Sequence, residues 1–260
     1  LVLTITYSQY GLETFILIMV RITSFMYVAP FFGQTNTPQR TKLGFALILS
    51  FLVYMVLPEQ TLAYSNNWDY ATIIVKEAIA GVLMGFSVFI CNSIVLFAGH
   101  VFDMEIGLTM ATIYDPQTRT QVSVSGQLYQ NLFMLIFIAT GMHWYLLSAL
   151  VDSFTAVPLD GLHIRAGLIT VFIDFISDYF ITGFRIALPV FASSMLVNIV
   201  LGIMTKVAPQ MHMFSVGMQI KILAGLFIMF MTVTVISNIT SNLFEQMKQI
   251  MVTVIRYIVP

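Results

Sequence analysis

The chain has 260 residues, of which 58% are of apolar types and only 9% are charged. Soluble domains carry about 25% charged residues, so this composition excludes the soluble globular, disordered and collagen-like classes. With a net charge of −1 and no basic patch, the chain also lacks the positive surface that nucleic-acid binding requires, which leaves a polytopic helical membrane protein or a subunit buried in an apolar assembly.

Uncharged runs predict the helices in chain order, because a spanning helix needs about 20 apolar residues. We predict helices near residues 12–32, 43–57, 70–97, 128–150, 168–204 and 214–236. The fifth run contains Pro189, which removes a backbone donor, so we expect a kink there or two stacked helices. Residues 99–127 form the longest interruption, and long loops are often functional. No signal peptide is expected at the amino terminus.

The last segment is predicted to be an amphipathic helix. Apolar residues recur at helical spacing from Ile236 to Ile258, and polar residues such as Glu245 and Lys248 occupy the other face. We expect this helix to lie along a membrane surface or to pack on a partner helix. Packing within its own chain is the alternative.

Five charged residues lie within the apolar runs: Arg21, Lys76, Glu77, Arg185 and Lys221. Each costs about 2.5–3.5 kcal/mol at the centre of a bilayer, so such residues usually face protein or water. For Arg21 and for Lys76 with Glu77 we favour snorkelling from a helix end. For Lys221 we expect a contact with a carbonyl or carboxylate of a partner.

Small residues recur every four positions and predict close helix contacts. One such row is Gly217, Lys221 and Gly225, and a second is Ser194, Asn198, Gly202 and Lys206. A third is the pair Gly81 and Gly85, for which ordinary packing within the chain is the simpler interpretation, because this motif is common by chance.

The sequence offers little chemistry. It contains none of the short motifs of metalloproteases, serine hydrolases or nucleotide-binding loops. Asp103, Glu105 and Asp115 could together form an ion site, although acids in a loop are usually solvated. Asp174 and Asp178 share a helix face as like charges, which favours solvent exposure. A pore or transport component and a membrane-embedded enzyme such as a protease both remain, and the lack of paired catalytic residues favours the first.

Three blocks of sequence carry a family resemblance. The first contains AGHVFD at 98–103, GLTMA at 107–111, then Asp115-Pro116 and Gln121, and it continues through GMH at 141–143. The second contains ALPV at 187–190 and APQMHMF at 208–214, followed by Gly217 and Lys221. The third is Arg21 with APFF at 29–32. In this order and spacing, the chain resembles the FliR family of flagellar type III export-gate proteins, whose injectisome relatives are the SctT proteins.

The resemblance implies an all-α membrane-associated fold of long kinked helices and helical hairpins, assembled with FliP-like and FliQ-like subunits around an export channel. It further implies a FliP-like part (residues 1–203), a FliQ-like hairpin (residues 204–260) and an FlhB-like partner. The implied location is the basal body of the flagellum in the bacterial inner membrane, and the implied cargo is unfolded flagellar protein. No cofactor, metal or catalytic activity is expected. An injectisome subunit is the alternative.

The resemblance also implies the role of one loop, and the rows of small residues predict the subunit contacts. By this resemblance, the loop at 107–121, called the gate loop below, is expected to project into the channel and to help plug it. Its residues are Gly107, Leu108, Thr109, Met110, Ala111, Thr112, Ile113, Asp115, Pro116 and Gln121. The predicted subunit contacts are Gly217, Lys221, Gly225, Asn198, Gly202, Lys206, Pro209 and Gln210.

Overall fold

The computed structural model describes residues 2–32, 38–58, 62, 64, 66–111, 113–115, 120–207 and 213–259. Within these residues the chain forms seven α-helices and two strands of three residues each. The helices are α1 (Val2–Val28), α2 (Gln39–Val56), α3 (Asn67–Ile106), α4 (Val124–Ala139), α5 (Met142–Ala156), α6 (Leu168–Val207) and α7 (Met213–Ile258). The strands are β1 (Ile113–Asp115) and β2 (Thr120–Val122).

The predicted all-helical membrane fold is confirmed. Among the described residues, five helices are long and apolar enough to cross a membrane: α1 over Gly11–Val28, α2, α3, α6, and α7 over Val216–Val233. A sixth span results if α4 and α5 together count as one bent crossing.

Two predicted helix boundaries are wrong, and so is the expected alternative of two stacked helices at Pro189. Helix α3 continues to Ile106, so the first part of the expected long loop is helical. The run at 128–150 is divided into α4 and α5, because Gly141 adopts φ of +71°, which ends one helix and precedes the next. Helix α6 continues through Pro189 without a division, as membrane helices often do at proline.

The chain divides into two compact units. The first comprises Leu1–Ile90, Gly141–Asp174 and Gln246–Pro260, and the second comprises Cys91–Thr140 and Phe175–Glu245. The predicted FliP-like part and FliQ-like part were defined by resemblance to other subunits, whereas these units are defined by contacts within the chain. The predicted division therefore stays a prediction.

In the first unit, α1 and α3 approach each other closely at two glycines. A Cβ atom on Gly81 would lie 2.3 Å from the carbonyl oxygen of Arg21, and one on Gly85 would lie 2.9 Å from that of Phe25. The pair therefore serves packing within the chain, as the simpler interpretation held. The close approach places the charged residues of both helices next to each other.

The predicted placement of the carboxyl-terminal segment on a membrane surface or partner is wrong, and the alternative of packing within the chain holds. The segment is the end of α7, which runs without interruption from Met213. Its apolar residues are buried in this chain: Leu243, Phe244, Met247, Ile250, Met251, Val254 and Ile258. In the first unit the carbonyl oxygens of Ile258 and Tyr257 accept the backbone N–H groups of His163 and Arg165, both at 3.1 Å.

In the second unit, α3 packs on α4, α6 and α7. A Cβ atom on Gly99 would lie 2.1 Å from Cα of Gly126, so the α3 and α4 backbones are nearly in contact. Against α6, the ring of Phe97 contacts three aromatic rings, those of Tyr179, Phe180 and Phe184. These contacts hold the end of α3 and the start of α4, and the gate loop connects these two helix ends.

Candidate functional site: a buried ion pair and the gate loop

A buried ion pair joins α1 to α3 in the first unit. The Nε atom of Arg21 donates to Oε2 of Glu77 at 2.5 Å, and both side chains are completely buried. The Nη1 atom donates to the carbonyl oxygens of Ser153 and Val157 at 3.2 and 3.0 Å. The guanidinium carbon lies 4.3 Å from the ring centroid of Phe154, a distance typical of a cation–π contact. One cation therefore links α1, α3 and the end of α5.

The Glu77 carboxylate also holds the connection that follows α5. Its Oε1 atom accepts the backbone N–H of Asp160 at 3.2 Å. The neighbouring Lys76 donates to Oδ1 of Asp160 at 2.7 Å, but these two side chains remain 38% and 40% exposed. Exposed ion pairs contribute about 0–1 kcal/mol, so the completely buried pair dominates the energetics of this cluster.

Snorkelling was therefore the wrong prediction for Arg21 and Glu77. Both lie within apolar helices, and each is neutralised by the other rather than by water at a helix end. The sequence carried one usable signal, because an ionisable residue inside a membrane span usually has a partner of opposite charge. It could not identify the partner, which is 56 residues away.

The gate loop has more regular structure than a flexible loop. Gly107 leaves α3 with φ of +84°, a conformation that strongly favours glycine. Leu108–Ala111 form one turn of 3-10 helix. Strands β1 and β2 then pair antiparallel, with Tyr114 opposite Gln121 and Asp115 opposite Thr120.

Most of the predicted gate residues fall on these elements. Gly107 precedes the 3-10 turn, which contains Leu108, Thr109, Met110 and Ala111. Ile113 and Asp115 lie on β1 and Gln121 on β2. Thr112 and Pro116 lie outside the described residues.

A buried carboxylate closes the base of this loop. Asp103 lies in the last turn of α3 and is 1% exposed. Its Oδ2 atom accepts the hydroxyl of Ser123 at 2.6 Å, and its Oδ1 atom accepts the backbone N–H of Ser125 at 3.2 Å. The Ser123 hydroxyl in turn accepts the backbone N–H of Gly126 at 2.8 Å and so caps α4.

The expectation of a solvated loop acid fails for Asp103, because α3 extends past it. Its negative charge instead lies at the amino end of α4, where backbone donors and the helix dipole favour an anion. In the part of the chain that the structure describes, no three His, Cys, Asp or Glu residues are grouped in a way that could hold a metal ion.

The predicted subunit-contact residues divide into two groups. Gly217 and Gly225 are covered within this chain, since their added Cβ atoms would lie 3.0 Å from Leu201 and 2.1 Å from Ile106. Ser194 is also buried, and its hydroxyl donates to the carbonyl oxygen of Glu105 at 3.0 Å.

Three of the remaining members are open to a partner. Asn198, Gly202 and Lys206 lie on the exposed part of α6, and a Cβ atom on Gly202 would meet nothing within 4 Å. Lys221 is partly buried. Pro209 and Gln210 lie outside the described residues.

Large apolar surfaces remain exposed on three helices. Only 17% of the spanning stretches in α2, in α6 and in α7 (Val216–Val233) is buried inside the chain. An apolar groove of about 300 Å³ also opens between α6 and α7 in the second unit. It is lined by Leu196, Val197, Val200, Leu201, Met204, Val216 and Ile220. Patches of this size on a soluble monomer would mark an interaction surface or an aggregation site, so lipid or protein must cover them.

Comparison with known proteins identifies related sequences over nearly the whole chain. The profile of the family described as "Bacterial export proteins, family 1" matches residues 12–247. Three relatives are each described as "Flagellar biosynthetic protein FliR". The one from Bacillus subtilis is 28% identical over 235 residues, covering 89% of this chain and 90% of the relative. Those from Escherichia coli and Buchnera aphidicola (Acyrthosiphon pisum) are 25% and 23% identical, covering 91% and 88% of this chain and 90% and 88% of the relatives.

Proposed function

Because this chain belongs to the family of bacterial export proteins, family 1, we propose that it forms part of the wall of a channel that exports unfolded flagellar proteins. Its relatives are flagellar biosynthetic proteins, and the matches cover 88–91% of this chain and 88–90% of these relatives. The observation that carries the proposal is the combination of this membership with helices that expose apolar surface along whole membrane spans.

The proposed partners are FliP-like and FliQ-like subunits, together with an FlhB-like protein. The exposed faces of α2 and α6 support this, since only 17% of the spanning stretch of each is buried inside the chain. The open position above Gly202 also permits close approach of another helix. Co-purification of the chain with its co-expressed neighbours from the inner membrane, followed by native mass spectrometry, tests this. A solitary chain in every preparation would contradict it.

The gate loop is the proposed barrier that closes the channel when no protein is being exported. Its support is structural: Leu108–Ala111 form a 3-10 turn and β1 pairs with β2, so the described part of the loop has a defined shape next to the end of α3. A defined plug can close a pore that a freely moving chain would leave permeable.

Replacing residues 108–121 with a short Gly-Ser linker tests the gate. We expect the assembly to be recovered in normal amount and the leak of small molecules across the membrane to rise. Asp152→Asn, at an exposed position of α5, is the control. A fully assembled deletion variant without leak would refute the gate.

We also propose that the chain breaks no bonds. The two carboxylates that are buried among the described residues support this, because Glu77 is neutralised by Arg21 and Asp103 is held by the amino end of α4. A membrane protease would instead lose all activity on substitution of one Asp or His while its complex stayed intact. The names of the relatives favour the flagellar branch over the injectisome branch.

A further inference from the structure

The hydrogen bonds of Asp103 connect the two ends of the gate loop. Asp103 is four residues before Gly107, where the loop leaves α3. Ser123 directly follows β2, where the loop returns. The bond between them, at 2.6 Å, spans 20 residues of sequence and is buried. One side chain thus closes the loop at its base.

The surroundings of this bond are rigid on both sides. Gly99 and Gly126 bring the α3 and α4 backbones into near contact one turn further from the loop. Ser194 on α6 fixes the last turn of α3 through the carbonyl oxygen of Glu105. The end of α3 and the start of α4 are therefore held by several contacts, and Asp103 is the group that joins them at the base of the loop.

We propose that Asp103 is a positioning residue of the gate: it holds the hairpin at a fixed place so that the closed loop seals. The proposal rests on the gate function of the loop. A carboxylate suits this role because both of its oxygens accept, and it faces a hydroxyl and a backbone N–H that both donate. An asparagine would keep the size but would turn one acceptor into a donor opposite one of these groups.

The alternative is that Asp103 only stabilises α4 as a cap. A cap of that kind would change how much complex is recovered, but not the leak per assembled complex or the opening of the hairpin. A positioning residue would change both of these in complexes that remain assembled. The two readings are therefore separated by normalising every measurement to the amount of complex.

The experiment compares Asp103→Asn, Ser123→Ala and the 108–121 deletion in the co-expressed full complex. Asp152→Asn, an exposed acid on α5, is the matched control. We expect hydrogen exchange of residues 113–122 to accelerate by about tenfold in Asp103→Asn, the factor that loss of one charge-assisted hydrogen bond produces in a two-state equilibrium. Leak per complex should be largest in the deletion variant, smaller in Asp103→Asn and smallest in Ser123→Ala. The control should not differ from the wild type.

Each variant tests a different part of the proposal. Unchanged exchange of the hairpin in both Asp103→Asn and Ser123→Ala would overturn the positioning role, whatever the deletion does. A deletion variant that does not leak would refute the gate itself and the seal that depends on it. If Asp103→Asn does not assemble, Ser123→Ala decides: faster exchange with more leak supports the proposal, and unchanged values overturn it.

Discussion

The buried pair of Arg21 and Glu77 makes the sharpest prediction for stability. Arg21→Met removes the cation and leaves the Glu77 carboxylate completely buried with one backbone donor, from Asp160. Glu77→Leu leaves a buried guanidinium without its carboxylate. Removing one partner of a buried pair costs about 3–5 kcal/mol, because the other charge stays in a medium of low dielectric constant.

The double variant should cost much less than the sum of the two. With both charges gone, the main losses are the bond to the Val157 carbonyl oxygen and the bond from the Asp160 backbone N–H, which is only part-buried. The Ser153 carbonyl keeps its helical partner, the backbone N–H of Val157 at 2.8 Å. One unpaired buried carbonyl costs about 1–3 kcal/mol. The two single costs together are about 6–10 kcal/mol, so the coupling energy between the residues should be at least about 3 kcal/mol.

Denaturation of the detergent-solubilised protein, followed by circular dichroism, measures these differences. Arg256→Met, which removes an exposed arginine from the last turn of α7, is the control and should change stability by less than about 0.5 kcal/mol. Additive effects of Arg21→Met and Glu77→Leu would show that the two charges do not neutralise each other, and the account of the ion pair would then be wrong.

Three further outcomes are expected. Gly81→Ala should destabilise the protein by about 1–3 kcal/mol or more in thermal unfolding, because its Cβ would meet backbone, whereas Gly44→Ala in open space should be neutral or slightly stabilising. Gly107→Ala should cost about 1–2 kcal/mol through its φ of +84° and should speed hydrogen exchange in the gate loop; exchange at the wild-type rate would contradict this. Lys221→Ala and Gly202→Leu should both lower recovery of the FliP-like and FliQ-like partners without lowering the amount of the chain, and unchanged recovery would remove these residues from the subunit contact.

Much of the fold could be predicted because hydropathy is a local property. The uncharged runs located every spanning helix, since a run of apolar residues is recognisable without knowing what it packs against. The ends of the helices were harder to predict from the sequence. The extension of α3 through Asp103 to Ile106 depends on burial of polar residues that the sequence alone assigns to a loop.

The candidate site was predictable only in part, because its contacts join residues that are distant in sequence. The position of the gate loop followed from its sequence motifs, but its hairpin and its closure by Asp103 did not, because a bond between residues 20 positions apart depends on how α3 and α4 cross. The open face around Gly202 and the covered faces of Gly217 and Gly225 look alike in sequence, since each is a small residue at helical spacing.

Composition and motif order alone established an all-helical membrane protein of a bacterial export family. Apolar content and short sequence motifs can be recognised without knowing which residues are in contact. Only the tertiary structure decided which charges meet. Arg21 finds Glu77 because two glycines let α1 and α3 approach closely, and the end of α7 is buried by its own chain. The free energy of a buried charge depends on its neighbours in space, and those neighbours are distant in sequence.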